Sequence, residues 1–113
     1  MIFVDTSFWV AVRNRRDRHH ADAEALLETF GSDGLVTSNH VRGETWTFLR
    51  RKVGHGAAVS FLDLLENTPR VRIVPVDSED EHSALLWLRQ HDEREYSFVD
   101  ATSFAVMRRL RAI

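Results

Sequence analysis

The sequence predicts an α/β fold with three layers (α/β/α), in which a central parallel sheet lies between helices. Three short runs rich in β-branched and aromatic residues, at positions 2–5, 35–37 and 71–76, alternate with segments whose apolar residues recur at helical spacing. Strands that alternate with helices imply right-handed crossovers and a sheet covered on both faces. At 113 residues the chain is long enough for one domain with a single core, so we expect one domain over residues 1–113.

The composition excludes several classes of protein. No apolar run approaches the roughly 20 residues that a membrane helix needs. The chain has no cysteine, which excludes disulfides, thiolate metal sites and cysteine-based zinc fingers. Its first residues, Met-Ile-Phe-Val-Asp, lack the basic and long apolar segments of a signal peptide. We therefore expect a cytoplasmic protein.

The first strand and helix follow from the start of the chain. Residues 2–5 predict a buried strand, because Ile-Phe-Val shows no polar alternation, and Asp5 lies at its carboxyl end. Thr6 or Ser7 can cap the helix that follows, whose apolar residues include Trp9.

The middle of the chain continues the alternation. Residues 20–30 predict a second helix, which ends at Gly31-Ser32-Asp33-Gly34. After the strand at 35–37, Ser38 or Asn39 can cap a long helix that carries Glu44.

A fourth helix and the third strand follow. The break marked by Gly54 and Gly56 precedes an amphipathic helix that ends before Thr68-Pro69. Pro75, near the end of the 71–76 run, indicates an edge strand or a strand terminus.

The last two helices complete the prediction. Asp77 or Ser78 can cap a helix through about His91, with Ala84, Leu85, Trp87 and Leu88 as its buried stripe. A polar loop at 92–95 leads to the run Phe98-Val99, which ends at Asp100 just before the final helix.

Three carboxylates adjoin apolar runs: Asp5, Glu44 and Asp100. A carboxylate beside residues that prefer burial is costly unless a cation or hydrogen bonds compensate it. Ligands of parallel α/β sheets gather beyond the carboxyl ends of the strands, where Asp5 is expected. Carboxylates that cluster there indicate a hard cation with oxygen ligands, Mg²⁺ or Mn²⁺. Such a metal suits phosphodiester cleavage, since it can activate water and stabilise charge on phosphoryl oxygens.

The chain resembles the PIN-domain nucleases, especially the VapC-type toxins of bacterial toxin–antitoxin pairs. The resemblance rests on three motifs in order: 3–7 (Phe-Val-Asp-Thr-Ser), Glu44 on the third helix, and 97–103 (Ser-Phe-Val-Asp-Ala-Thr-Ser). It implies a Mg²⁺-dependent endoribonuclease with Asp5 and Asp100 as direct metal ligands and Glu44 as a ligand or as the group that orients the attacking water.

The resemblance also implies supporting residues and partners. A hydroxyl at Thr6 or Ser7 would help to hold metal-bound water or phosphate, although helix capping is the preferred interpretation of both residues. Ser103 is a further candidate for a supporting residue. The implied partners are an RNA substrate, a VapB-type antitoxin that masks the site, and a second copy in a homodimer.

One feature departs from the family. Its members usually carry a fourth acidic residue after a further strand beyond the last helix, whereas this sequence stops at Arg111-Ala112-Ile113. Either the chain is a C-terminally shortened PIN-like domain with a weakened site, without the last strand and acid, or the given sequence lacks its natural tail. Asp92, Glu93 and Glu95 are candidate substitutes for this acid, but a solvated charged loop is the preferred interpretation.

Other interpretations remain open. Asp5 can be a helix cap and Glu44 an ion-pair partner of an arginine. A phosphatase with an Asp nucleophile would want a second Asp two positions after Asp5, where Ser7 stands. A PIN-like domain without its fourth acid can instead bind RNA or a protein partner without cutting.

Basic residues are clustered although the net charge is −2. Positions 13–18, 50–52 and 108–111 are rich in arginine, which either favours the helix dipole and solubility or contacts phosphate. The candidates for RNA contact are Arg13, Arg15, Arg16, Arg50 and Arg51. The six histidines show no metal-ligand spacing and are expected at the surface, and the three tryptophans are expected to pack in the core.

Overall fold

The structure, a computed structural model, describes residues 1–30 and 34–113. In these ranges the elements are β1 (Ile2–Phe3), α1 (Thr6–Arg13), α2 (His20–Phe30), β2 (Leu35–Ser38), α3 (Asn39–Lys52), α4 (His55–Asn67), β3 (Val71–Val74), α5 (Ser78–Gln90) and α6 (Phe98–Leu110). The predicted stop after α2 lies, apart from Gly34, outside the described residues. No helix in the described ranges is both long and apolar enough to cross a lipid bilayer.

The three strands form a parallel sheet in the order β1-β2-β3, so the predicted α/β class with a central parallel sheet is confirmed. Leu35 lies opposite Ile2 on one side and Val71 on the other. Every residue of β2 is buried, as expected of a strand that is covered on both faces. β3 is an edge strand that ends before Pro75, as predicted.

Apolar side chains cover both faces of the sheet. On one face the core is built around Trp9, Leu49 and Phe61, which are fully buried between α1, α3, α4 and the sheet. On the other face Val36 and Val74 pack against Val106 of α6. Neighbouring strand residues point to opposite faces, so Leu35 joins the first cluster and Val36 the second. The expected core role is observed for Trp9, while Trp46 and Trp87 are half-buried.

The chain after α6 returns to the outer side of β1. The N–H of Phe3 donates to the carbonyl of Ile113 at 2.9 Å, and the N–H of Ile113 donates to the carbonyl of Met1 at 3.2 Å. This is the pattern of a parallel bridge, so the last described residue already pairs with the sheet. The expected absence of a further strand and acid beyond this point stays a prediction.

Several predicted boundaries differ from the structure. β1 is two residues shorter than predicted, because Asp5 already serves as the N-cap of α1 in place of Thr6 or Ser7. Gly54, at a φ of 137°, permits the turn between α3 and α4, while Gly56 lies inside α4. Leu85 was expected in the buried stripe of α5, but it is about half exposed because Ala84 takes the fully buried position of this helix.

The start of α6 also differs. Ser97 is its N-cap, so Phe98 and Val99 form the first turn and Asp100 lies inside the helix instead of before it. The local reason is a capping box, in which the Ser97 hydroxyl accepts from the Asp100 N–H and the Asp100 carboxylate accepts from the Ser97 N–H. The sequence prediction placed Phe98 and Val99 before the helix, because two apolar residues carry no helical periodicity.

An ion pair holds α5 to α6. Arg109 donates from Nε and Nη2 to the two carboxylate oxygens of Asp80, at 3.0 and 2.8 Å, and Asp80 is almost fully buried. Burial alone would raise the pKa of Asp80, but the hydrogen bonds from Arg109 and from the Asp77 capping box outweigh it and lower the pKa below its ordinary value. The charged form of Asp80 is therefore the one that stabilises the fold.

We predict that Asp80→Asn lowers the free energy of unfolding by about 1–3 kcal/mol at neutral pH, less than for a fully buried pair because Arg109 is partly exposed. The pKa of Asp80 is lowered on folding, so this contribution is present above the unfolded-state pKa and is lost as pH falls through the folded-state pKa. The difference in stability between the two proteins should therefore begin to shrink below about pH 4 and disappear below the lowered folded-state pKa. Urea unfolding across pH checks this, with Glu81→Gln on the exposed face of α5 as the charge-matched control. A difference that persists unchanged at acid pH would contradict it.

Candidate functional site

The side chains predicted as a site meet in one cleft of about 690 Å³. It is bounded by the start of α1, the middle of α3 and the first turns of α6, next to the carboxyl end of β1. The six residues proposed from the sequence as catalytic or supporting line this cleft: Asp5, Thr6, Ser7, Glu44, Asp100 and Ser103. Their segments are far apart in the chain, so the fold alone brings them together.

Asp5 both caps a helix and faces the cleft. Its Oδ1 accepts a hydrogen bond from the Ser7 hydroxyl at 2.8 Å and a longer one from the Phe8 N–H at 3.4 Å. Its Oδ2 has no hydrogen-bond partner among the described residues, and the side chain is exposed. The capping interpretation and the site interpretation therefore apply together, one to each oxygen.

Glu44 is tied to α1 by a side-chain hydrogen bond. The Thr6 hydroxyl donates to Glu44 Oε1 at 2.5 Å, which joins residues 38 positions apart in a half-buried setting. The sequence offered Thr6 as a cap of α1 and Glu44 as an ion-pair partner of an arginine. In the structure Thr6 does not cap α1, and Glu44 has no arginine partner in the described part of the chain. The hydrogen bond from Thr6 orients the Glu44 carboxylate and leaves Oε2 without a protein partner in the described ranges.

Asp100 occupies the first turn of α6. One of its oxygens, Oδ2, accepts from the Ser97 N–H at 2.9 Å, and the exposed carboxylate lines the cleft. The N-terminus of a helix carries positive partial charge, which favours a carboxylate at this position. Ser103, one turn later, is buried and lines the same cleft.

The donor set suits a hard divalent cation in its chemistry. Each of the three carboxylates keeps one oxygen outside its structural hydrogen bond. Over residues 1–30 and 34–113, however, no three His, Asp or Glu side chains stand close enough together to hold one metal ion. Mg²⁺ sites commonly use only one or two carboxylates with water and substrate phosphate, so two of these three side chains suffice. The residues present therefore fit such an ion without forming a closed cage.

Sequence reasoning missed a fourth acidic residue at the cleft, Asp17. It lies in the turn after α1, where its N–H donates to Asn14 and its Oδ1 accepts from the His19 N–H at 2.8 Å. No apolar run precedes it, so no local signal marked it. The substitutes considered from the sequence, Asp92, Glu93 and Glu95, do not line the cleft.

The arginines proposed to contact RNA lie in different parts of the structure. Arg51 lines a groove along α3 beside Glu44. Arg13, Arg15 and Arg16 line a different pocket near the ends of α1 and α3. Arg50 is exposed and borders neither of these cavities.

The histidines also do not enter the cleft. His20 is half-buried and contacts the carbonyl of Ala11 at 2.8 Å and Glu24 at 3.2 Å, so it links α1 to α2 instead of lying free at the surface. His91 stacks on Trp87 with ring centres 4.2 Å apart. These contacts assign both rings structural roles.

Comparison with known proteins agrees with this architecture. The family model of the PIN domain matches residues 2–113. A curated relative, the 23S rRNA-specific endonuclease VapC20 of Mycobacterium tuberculosis, is 53% identical over 109 residues, which cover 96% of this chain and 82% of that protein; the match is the same for strains CDC 1551 and H37Rv. The crystal structure of M. tuberculosis VapC20, described as a sarcin-ricin loop cleaving toxin, has a TM-score of 0.92 at 50% identity and covers 99% of this chain and 85% of that one. The resemblance to VapC-type PIN nucleases is thus confirmed, and the chain belongs to the PIN-domain family.

Proposed function

We propose that this chain is an endoribonuclease, the toxin of a type II toxin–antitoxin pair, that cleaves RNA with an activated water. The observation that carries the proposal is the shared cleft, in which Asp5, Glu44 and Asp100 each keep one carboxylate oxygen outside their structural hydrogen bond. Membership of the PIN family and 53% identity to a named 23S rRNA-specific endonuclease support it. We further propose ribosomal RNA as the substrate class.

PIN-domain nucleases generally use a divalent metal. For this chain we propose Mg²⁺ or Mn²⁺, held by Asp5 and Asp100, with Glu44 as a further ligand or as the acceptor that orients the attacking water. When bound, such a cation supplies a water of lowered pKa and positive charge beside the phosphate oxygens.

The protein's own groups have separate tasks in this proposal. Thr6 holds Glu44 in one orientation, so that Oε2 can accept a proton or a hydrogen bond from water. Ser7 orients Asp5 through Oδ1. Ser103 offers a hydroxyl one turn from Asp100 for a substrate phosphate oxygen or a water.

The proposed partners follow from the family. We propose that a VapB-type antitoxin covers the cleft, that two copies of the chain form a homodimer, and that the protein acts in the cytoplasm, where its RNA substrate resides. The alternative function is a PIN-like domain that binds RNA or a protein partner without cutting. It would account for the absence of a closed metal cage in the described residues.

Replacing one carboxylate should separate catalysis from folding. Asp5→Asn is expected to lower the cleavage rate of RNA by about 10²-fold or more, because it removes a proposed ligand charge. The fold should persist, since Asn caps a helix as well as Asp does. The measurement is cleavage of a labelled 23S rRNA fragment together with thermal unfolding. Asp63→Asn, on the exposed side of α4, is the matched control. Full activity of Asp5→Asn would refute the proposal.

The bond from Thr6 to Glu44 predicts a positioning effect. Thr6→Val removes the hydroxyl donor and should lower kcat by about 10- to 100-fold with little change in KM, because Glu44 loses its orientation. Thr6→Ser keeps the donor and should restore most of the rate. Steady-state kinetics on the three proteins check this. If Thr6→Ser is as slow as Thr6→Val, the hydroxyl is not the cause.

Removal of metal distinguishes the two candidate functions. With EDTA, cleavage should stop while RNA binding persists, and addition of Mg²⁺ or Mn²⁺ should restore cleavage. Gel analysis of products and fluorescence anisotropy of the same RNA give both readouts. Binding without products under every metal condition would favour the non-cutting alternative.

A further inference from the structure

A second cavity, of about 480 Å³, lies near the ends of α1 and α3. Four cationic side chains line it, and no acidic residue does; the lining residues are Arg13, Asn14, Arg15, Arg16, Lys52 and Val53. Below, this cavity is called the basic pocket. Neither the family match nor the relatives' names assign it a role.

The positive charge of the basic pocket is not compensated within the described part of the protein. The ion pairs in the described residues involve His20, His91 and Arg109, and none of them involves a cation of the basic pocket. In addition, Nε of Arg13 is buried without a hydrogen-bond partner in the described residues. A buried donor normally finds an acceptor, so this N–H is available to an anion or a water in the basic pocket.

The helix dipole explains only part of this cluster of cations. Cations in the last turn of a helix interact favourably with its dipole, which suffices for Arg13 of α1 and Lys52 of α3. It does not explain Arg15 and Arg16, which follow the end of α1 and still line the pocket.

A groove along α3 shares lining residues with both the catalytic cleft and the basic pocket. This groove, of about 650 Å³, shares Glu44, Phe48 and Val99 with the cleft. At its other end it shares Lys52 with the basic pocket. Glu44 and Lys52 are two turns apart on α3, about 12 Å along the helix axis. That length matches about three to four stacked nucleotides of one strand.

We propose that the basic pocket binds a backbone phosphate of the RNA, a few nucleotides from the scissile bond, while the intervening strand lies in the groove along α3. The identity of the ligand rests on the proposed function. Phosphate fits because arginine guanidinium groups donate paired hydrogen bonds to its oxygens. An acidic peptide is a weaker candidate, because the groove that shares residues with both the pocket and the cleft favours the polymer that is cut in the cleft.

The test measures binding apart from cleavage. A fluorescein-labelled single-stranded 12-nucleotide RNA is titrated with the full chain in EDTA at several salt concentrations. For a single strand, each phosphate contact adds about 0.7 to the steepness with which the logarithm of the binding constant falls with the logarithm of the salt concentration. Arg13→Gln with Lys52→Gln should reduce the steepness by about 0.7 or more and weaken binding. The control pair Arg72→Gln with Arg89→Gln removes the same charge from exposed positions elsewhere and should leave the steepness unchanged.

The exposed pair Arg15→Gln with Arg16→Gln gives a second variant, should loss of the part-buried Arg13 impair folding; thermal unfolding monitors this. The proposal is overturned if the double variants of the basic pocket and the control double variant change RNA binding equally. It is also overturned if both double variants of the basic pocket keep the salt dependence of the wild type. Equal competition by polyglutamate at matched charge would also overturn it, in favour of an acidic protein partner. If the wild type shows pocket-dependent RNA binding yet leaves RNA uncut with Mg²⁺, the proposed function fails and the phosphate pocket stands.

Discussion

Parallel pairing of β2 with both neighbouring strands is the constraint on which the site depends. β2 is fully buried and is hydrogen-bonded on each side, so the carboxyl ends of the strands meet at one edge of the sheet. Asp5 follows β1 at this edge, and Ser38 caps α3 directly after β2, which sets the direction of the helix that carries Glu44. Burial of Leu35 and Val36 on opposite faces holds this register, because a slip by one residue would exchange the two faces.

Three carboxylates of the cleft have structural tasks. Asp5 caps α1, Asp100 closes the capping box of α6, and Glu44 accepts the hydrogen bond of Thr6. Each structural bond uses one oxygen and restricts the rotation of the side chain, while the second oxygen has no hydrogen-bond partner in the described residues. Each of these three carboxylates therefore has a hydrogen-bond donor from the protein itself.

Charge is separated along the surface although the net charge of the chain is only −2. Acidic side chains line the cleft, while cationic side chains collect near the ends of α1 and α3. Such a distribution suits a polyanion whose backbone is held by arginine and lysine while one of its phosphates lies beside the acids. A uniform acidic surface would repel the same substrate, so the local pattern matters more than the total.

The sequence by itself determined the order and type of the elements, a β3 that lies at an edge or ends at Pro75, and six of the side chains that line the cleft. These features depend on periodicity, capping residues and motifs within short segments. Only the tertiary structure decided the rest. Asp17 joins the cleft because the turn after α1 packs near it, and Thr6 binds Glu44 across 38 positions because α1 packs on α3. The same packing brings Arg13 and Lys52 to one pocket. Contacts between distant segments depend on the register of the sheet and the packing of helices, which no local pattern encodes.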